Sequence, residues 1–396
     1  MKKYFNIFTL YIFLWCIYYL QGVVYTGSGI ISQAILIIML LISIYYFFDV
    51  NSKHSTSSFI KVLNVFLGII TIYGIILLFD PSPLYYNFMV NEEVNKIGYL
   101  RSAYISLLPI YPMLAFAKQN ILKEETIQAA TIILIISVTI TYFKTEQEML
   151  QEALEIGSMR DEFTNNTAYS FLQLLPLLFF WKNRPVLQYI LMGYIMTFIV
   201  MGMKRGAIII GILCVLWFLN RSLSSASNRS RRIIIVLTTI MAIIGIYFIN
   251  NFISNSDYFQ YRIEQTIGGS SSNRDNIYTT LWDYSINQDS IVNIIWGNGA
   301  AHTIKVVGCY AHSDWLELLI CQGLFGVLIY VLYFTTLFIE FRRNKKNDIA
   351  FNILGMCIMI MFISSIFSMS YNSLSISMAI ALGYSLSTTS KKYTLS

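Results

Sequence analysis

Apolar residues along this chain come in long blocks, not in the short alternations of a half-buried sheet. Blocks of about 15 to 25 residues are what a helix needs to cross a hydrocarbon core about 30 Å thick. They fall at about 5–21, 30–48, 60–79, 99–117, 126–143, 167–181, 186–203, 206–219, 233–251, 313–339, 349–368 and 371–387. Backbone polar groups find no water in lipid, so each block is predicted to be helical. The pattern predicts an all-α polytopic membrane protein of about twelve spans with one large outward-facing loop. The chain then divides into 1–252, holding nine spans, a loop at 253–312, and 313–396, holding the last three spans and a short tail.

Composition agrees with the pattern. Of 396 residues, 56% are apolar and 12% charged, far from the balance of a soluble domain. Charge then sets the orientation. With Lys2 and Lys3 placed in the cytoplasm and sides alternating, the inner segments take 18 of the 27 basic residues but only Asp49, Glu124, Glu125, Glu340 and Asp348 among the acids. The inner side is then near +13 and the outer side near −7, as the positive-inside bias requires, with both termini cytoplasmic. Residues 185–220 could be drawn as one helix, but that helix would be about 50 Å long, too long for one crossing. Two short spans meeting at Lys204-Arg205-Gly206 fit better.

Processing and redox signals add little. No small-x-small pattern follows the first block, which therefore reads as a first span and not as a cleaved leader. The five cysteines are scattered through spans, apart from Cys309 in the loop, which argues against a disulfide framework or a zinc site.

Three outward segments carry most of the polar chemistry. Residues 142–166 are acidic, and Met149, Leu150, Ala153 and Leu154 follow helical spacing, so a surface helix lying on the membrane is expected, as a solvated lid or as a gate. In the hairpin, Lys204 and Arg205 are either a pair snorkelling to the headgroups or an anion clamp. In the clamp reading the guanidinium binds two phosphate oxygens, Lys204 adds a point charge, and Gly206 opens a helix with free amides. The third segment has a flexible lead-in, Gly268–Asn273, then a helix expected from Arg274 toward Gln288 with Ile277, Tyr278, Leu281, Trp282 and Ser285 on one face. Arg274 at its start is either a surface charge or part of an anion site. Gly297-Asn298-Gly299 is a turn signal returning the chain to the membrane.

Two of three histidines lie on this side. His302 reads as a solvated loop residue. His312 precedes Asp314 and Glu317 at the start of a span, and a carboxylate can hold an imidazole in one tautomer as a general base. No metal-ligand spacing accompanies it, so no metal is expected.

The Lys-Arg-Gly hairpin, the loop arginine before a helix, and Gly297-Asn-Gly followed by Ala311-His-Ser-Asp-Trp-Leu-Glu-Leu-Leu-Ile-Cys-Gln-Gly-Leu-Phe-Gly326 resemble the O-antigen polymerase and ligase superfamily, the Wzy and WaaL proteins. The motifs cover about residues 186–340, and His312 with Leu316, Gly323 and Gly326 is the strongest part. Ser313 stands where the family usually has Asn. The resemblance implies an integral bacterial inner-membrane glycosyltransferase that needs no cofactor. It implies that Arg205 and Arg274, with Lys204 beside them, bind the pyrophosphate of an undecaprenyl-linked donor. It implies that His312 activates an acceptor sugar hydroxyl. Inverting attack on the anomeric carbon would follow, with the cations stabilising the departing pyrophosphate.

The expected partners are lipid-linked donor and acceptor oligosaccharides, the bilayer, and flippase and chain-length regulator proteins; no nucleic acid is expected. Loop aromatics such as Tyr258, Tyr261, Tyr278, Trp282 and Trp296 either stack on sugars or pack on the bundle. A repeat-unit polymerase for O-antigen or capsule is preferred over a ligase acting on lipid A core. A transporter or flippase, or a scaffold in a glycan assembly complex, fits the same topology. A transporter should place charge or a broken helix near the bilayer midplane, and the spans read as nearly free of buried charge.

Overall fold

The computed structural model describes residues 6–21, 23, 29–53, 57–86, 93–155, 164–225 and 274–390, with scattered positions between 228 and 247. Only scattered positions of the expected span at 233–251 are described, and the lead-in Gly268–Asn273, Tyr258 and Tyr261 lie outside the described residues. Every named element among the described residues is helical.

α1 (Ile7–Tyr19), α2 (Ile30–Lys53) and α3 (Ser58–Phe79) are followed by α4 (Lys96–Leu107) and α5 (Ile110–Lys118). Pro109 separates the last two, since its ring clashes with the preceding turn and it offers no N–H. Next come α6 (Glu124–Glu155), α7 (Thr167–Leu172) running into a 3-10 segment at Leu175–Trp181, and the hairpin of α8 (Pro185–Met201) and α9 (Arg205–Ser225). Three shorter helices, α10 (Arg274–Ile286), α11 (Ile291–Trp296) and α12 (His302–Val307), precede α13 (Asp314–Arg343), α14 (Asp348–Phe367) and α15 (Ile376–Ser390). Side chains set several starts: Asn6 accepts from the Thr9 amide, Ser57 from Ile60 and Asn347 from Ala350.

Among the described residues, seven helical stretches are long and apolar enough to cross a membrane: Ile30–Ser52, Ser58–Phe79, Lys96–Lys118, Glu124–Gln151, Arg205–Ser224, Asp314–Lys346 and Asp348–Phe367. Shorter apolar stretches fall at Ile7–Tyr19, Thr167–Trp181, Pro185–Met201 and Ile376–Thr388. Each coincides with one of the expected blocks. The acidic segment after residue 142 is different from expectation. It is no separate surface helix, because α6 continues without a break to Glu155; residues 156–163 are outside the described set. A continuous i→i−4 ladder satisfies the backbone through the change from apolar to acidic side chains, helped by a Lys144–Glu148 ion pair at 3.3 Å.

Helices in lipid gain little from hydrophobic burial against each other, so close backbone approach and polar contacts carry the packing. Asn64 links neighbours in this way, donating to Asn51 at 2.7 Å and accepting from Tyr111 at 2.5 Å. Tyr11 and Ser43 pair at 2.6 Å between α1 and α2. Gln173 ties the α7 region to the α14–α15 connection, donating to Ser373 O at 3.0 Å and accepting from Ser375 N at 2.6 Å. α15 lies along α5 so closely that a Cβ on Gly383 would stand 2.5 Å from Met113 Cβ and 2.7 Å from Leu114 N.

That contact is testable. Gly383→Val should lower the thermal stability of the detergent-solubilised protein by about 1–3 kcal/mol, the usual cost of overpacking. Gly98→Ala, whose nearest neighbour would be 3.8 Å away, should leave melting unchanged. Equal melting of the two variants would show that α5 and α15 are not held at this distance.

Candidate functional site

The site is built around a break in α13. At Gly323 the backbone has φ 66° and ψ −162°, a region open in practice only to glycine. The break releases two carbonyls, and the Gly297-Asn298-Gly299 loop takes them. Asn298 N donates to Ile320 O at 2.9 Å, Gly299 N donates to Cys321 O at 3.0 Å, and the Asn298 side chain adds a second bond to Ile320 O at 3.2 Å. Backbone meets backbone here. A Cβ on Gly297 would lie 2.4 Å from Gln322 N, and one on Gly323 would lie 2.5 Å from Gly297 N. The expected turn therefore does more than return the chain, since it is wedged into an interrupted helix. The expected uninterrupted span at 313–339 is corrected to two helical pieces.

Two buried carboxylates fix what lies above the break. Glu317, 1% exposed, accepts from Thr303 Oγ1 at 2.9 Å, from Ala311 N at 3.0 Å and from the Cys321 thiol at 3.4 Å. Asp314, fully buried, accepts from Tyr330 Oη at 2.5 Å and from Ser370 N at 2.9 Å. Both were expected to orient His312. Both are spent elsewhere, on α12, on the loop before His312 and on the α14–α15 connection. The reason is burial: a carboxylate out of water must collect donors, and the nearest are hydroxyls and amides of packed neighbours. With Glu340 also buried, α13 is not the charge-poor span that its composition suggested.

His312 itself sits at φ 53°, an uncommon left-handed position for a side chain with a Cβ. Its carbonyl accepts from Tyr278 Oη at 3.0 Å, so α10 holds the residue through the backbone, and the residue is exposed. Beneath it Ile277 and Leu281 pack with Cys309, Ala311 and Ile320. α10 is described from Arg274 to Ile286, but Trp282 is exposed and Tyr284 turns inward instead. Tyr284 Oη pairs with His302 Nε2 at 2.8 Å. His302 is therefore half-buried and partnered, not the solvated residue expected, and that burial, with Lys305 nearby, lowers its pKa. Cys309 is buried, and all five thiols are free.

The cations gather at a corner whose charges reach His312. Arg274 Nη1 donates to Phe367 O at 2.6 Å, one of the carbonyls left unpaired at the end of α14. Gly206 lies against the same corner: a Cβ there would come 2.7 Å from the Tyr169 hydroxyl and 3.2 Å from the Phe367 ring. Lys204 and Arg205 are the two residues before it, both half-buried, with Arg205 opening α9. Met203, at φ 51°, makes the turn that presents them. No family model and no curated protein matches this sequence.

Lys204, Arg274 and His312 are thus brought into one electrostatic neighbourhood. Protein packed around the protected side of the imidazole, then the charges of Arg274 and Lys204, hold the His312 pKa below its ordinary 6.5. An imidazole kept neutral beside two cations can accept a proton while the cations attract an anion. Among the described residues no group of three or more His, Cys, Asp or Glu side chains is placed to hold a metal ion. Tyr169 and the Phe367 carbonyl belong to this corner and were not singled out from sequence. Nothing local marks them, because they reach it only through the packing of α7 and α14 against the hairpin.

In a His54→Asn, His302→Gln background, acylation of His312 by diethylpyrocarbonate should titrate with a midpoint below 6.5, because only the neutral ring reacts and neighbouring cations disfavour protonation. Lys204→Gln should move that midpoint upward. A midpoint at or above 6.5 that ignores Lys204 would separate the two groups.

Proposed function

We propose that the chain is a membrane glycosyltransferase that polymerises oligosaccharide repeat units carried on undecaprenyl pyrophosphate, at the outer face of the bacterial cytoplasmic membrane. The observation that carries the reading is the gathering of Arg274, which donates to Phe367 O, and Lys204 around His312, whose pKa burial and their charges lower. In this reading the chain crosses twelve times with both termini in the cytoplasm. The donor's tail lies among the spans and its pyrophosphate meets Arg205, Arg274 and Lys204. His312 takes the proton of an acceptor hydroxyl as that oxygen attacks the anomeric carbon. The bond to pyrophosphate breaks on the opposite face, and its charge leaves into the cation cluster. The likeness of residues 186–340 to the polymerase and ligase superfamily points the same way.

A second reading is supported by a different observation. The break in α13 at Gly323, next to buried Glu317, is the kind of discontinuous helix around which transporters build binding sites. A flippase for the same lipid-linked glycans would use that region and not the cation corner.

The glycan profile of a strain whose only copy carries His312→Ala or Arg274→Gln, with membrane expression confirmed, distinguishes them. Removal of a general base or of a charge-stabilising donor costs about 10²–10⁴-fold in rate, so the polymer ladder should collapse to one repeat unit on its final acceptor. Long polymer left on the lipid carrier would mean a ligase. An unchanged ladder would remove the polymerase reading and put the transporter first.

A further inference from the structure

α11 raises a question that its position answers. All but one of the residues of Ile291–Trp296 are apolar, and none is buried. Ile291 is 72% and Val292 65% exposed, and Ile286 just before them is 60% exposed. A six-residue helix with this face could not be expected to stand in water. Three observations locate it. The hydroxyl of Tyr73 donates to Trp296 O, and Tyr73 lies about 9 Å back from the end of α3 at 1.5 Å per residue. The Trp296 ring meets the Phe325 ring at 4.7 Å, just past the break in α13, and that break is about 13 Å in from the start of the helix. Those two candidate spans also expose apolar side chains as α11 does, Ile72, Ile76 and Phe79 on α3 and Leu324 and Leu328 on α13.

The backbone at the far end of α11 behaves as a chain out of water must. Gly297 N donates to Asn293 O at 2.7 Å, Asn298 N and Gly299 N are spent on α13, and Trp296 O is taken by Tyr73. Irregular backbone at membrane depth is tolerated only where the protein satisfies it. The polar run Asn287-Gln288-Asp289-Ser290 comes immediately before α11, and a helix of this length descends about 9 Å, the depth at which Tyr73 waits.

We propose that α11 and the Gly297–Gly299 turn form a re-entrant element, immersed in the bilayer with lipid acyl chains covering Ile291, Val292 and Ile295. The segment expected to be wholly aqueous then dips into the membrane and returns through Ala300 and Ala301 to α12. This does not depend on the glycosyltransferase reading.

Val292→Cys and Asp283→Cys, each in the full chain reconstituted in phosphatidylcholine–phosphatidylglycerol vesicles, test it. The native thiols are buried, and the unsubstituted chain gives the background. A membrane-impermeant charged maleimide should label Asp283→Cys, exposed on α10, and label Val292→Cys about tenfold more slowly or worse, because charge is excluded from hydrocarbon. A nitroxide at position 292 should collide freely with oxygen and little with a water-soluble nickel chelate. Nickel contact equal to that at 283, with equal labelling, would overturn the proposal by placing α11 in water. A nitroxide shielded from both probes would overturn it too, by showing a protein cover such as a second copy.

Discussion

A polypeptide that enters lipid must bring a partner for every backbone amide and carbonyl, and the least regular part of this protein is organised by that requirement. α13 is interrupted at Gly323, and the carbonyls so exposed are answered by the amides of Asn298 and Gly299. Because Gly297 and Gly323 touch through their backbones, neither segment can shift without the other. Everything above the break inherits its place from that contact: α12 follows the wedge, and the loop to His312 follows α12.

Buried carboxylates complete the fixing. Glu317 gathers Thr303 and the Ala311 amide, and Asp314 gathers Tyr330 and the Ser370 amide. Each pulls a separate stretch of chain onto the start of α13. Removing one partner would leave a buried carboxyl oxygen unpaired away from water, which is costlier than losing an exposed hydrogen bond. The imidazole of His312 is thereby left to its cationic neighbours. Arg274 is shared, with one nitrogen given to the Phe367 carbonyl and further guanidinium N–H groups beyond it.

Local patterns carried the reading of the fold well. The apolar blocks located the helical segments, and the length limit placed the α8–α9 turn at Lys204-Arg205, while the Ser-Asn run expected to cap α10 lies outside the described residues. What failed was anything decided by distant partners. Gln322-Gly323-Leu324 lies inside an unbroken apolar run, and only the Gly297 loop, far earlier in sequence, makes a break there affordable in free energy. Asp314 and Glu317 look like companions of His312 because they are its neighbours in sequence, yet their donors come from residues 303, 311, 330 and 370. The acidic tail of α6 looked like a new element because side-chain polarity changed, while the backbone ladder did not. Of the site, sequence offered the residue types; only packing brought Tyr169 and the α14 terminus to them.

The placement of α15 bears on how such a molecule is made. This last described helix fills a slot along α5, with Gly383 against Met113, and the backbone of Ile376 is within reach of the Tyr19 hydroxyl of α1. Helices emerge from the ribosome in order, so α1 and α5 are made long before their neighbour exists. During synthesis the slot must be filled by lipid or by an insertion factor, and the packing of α1 and α5 is completed only once α15 has been made.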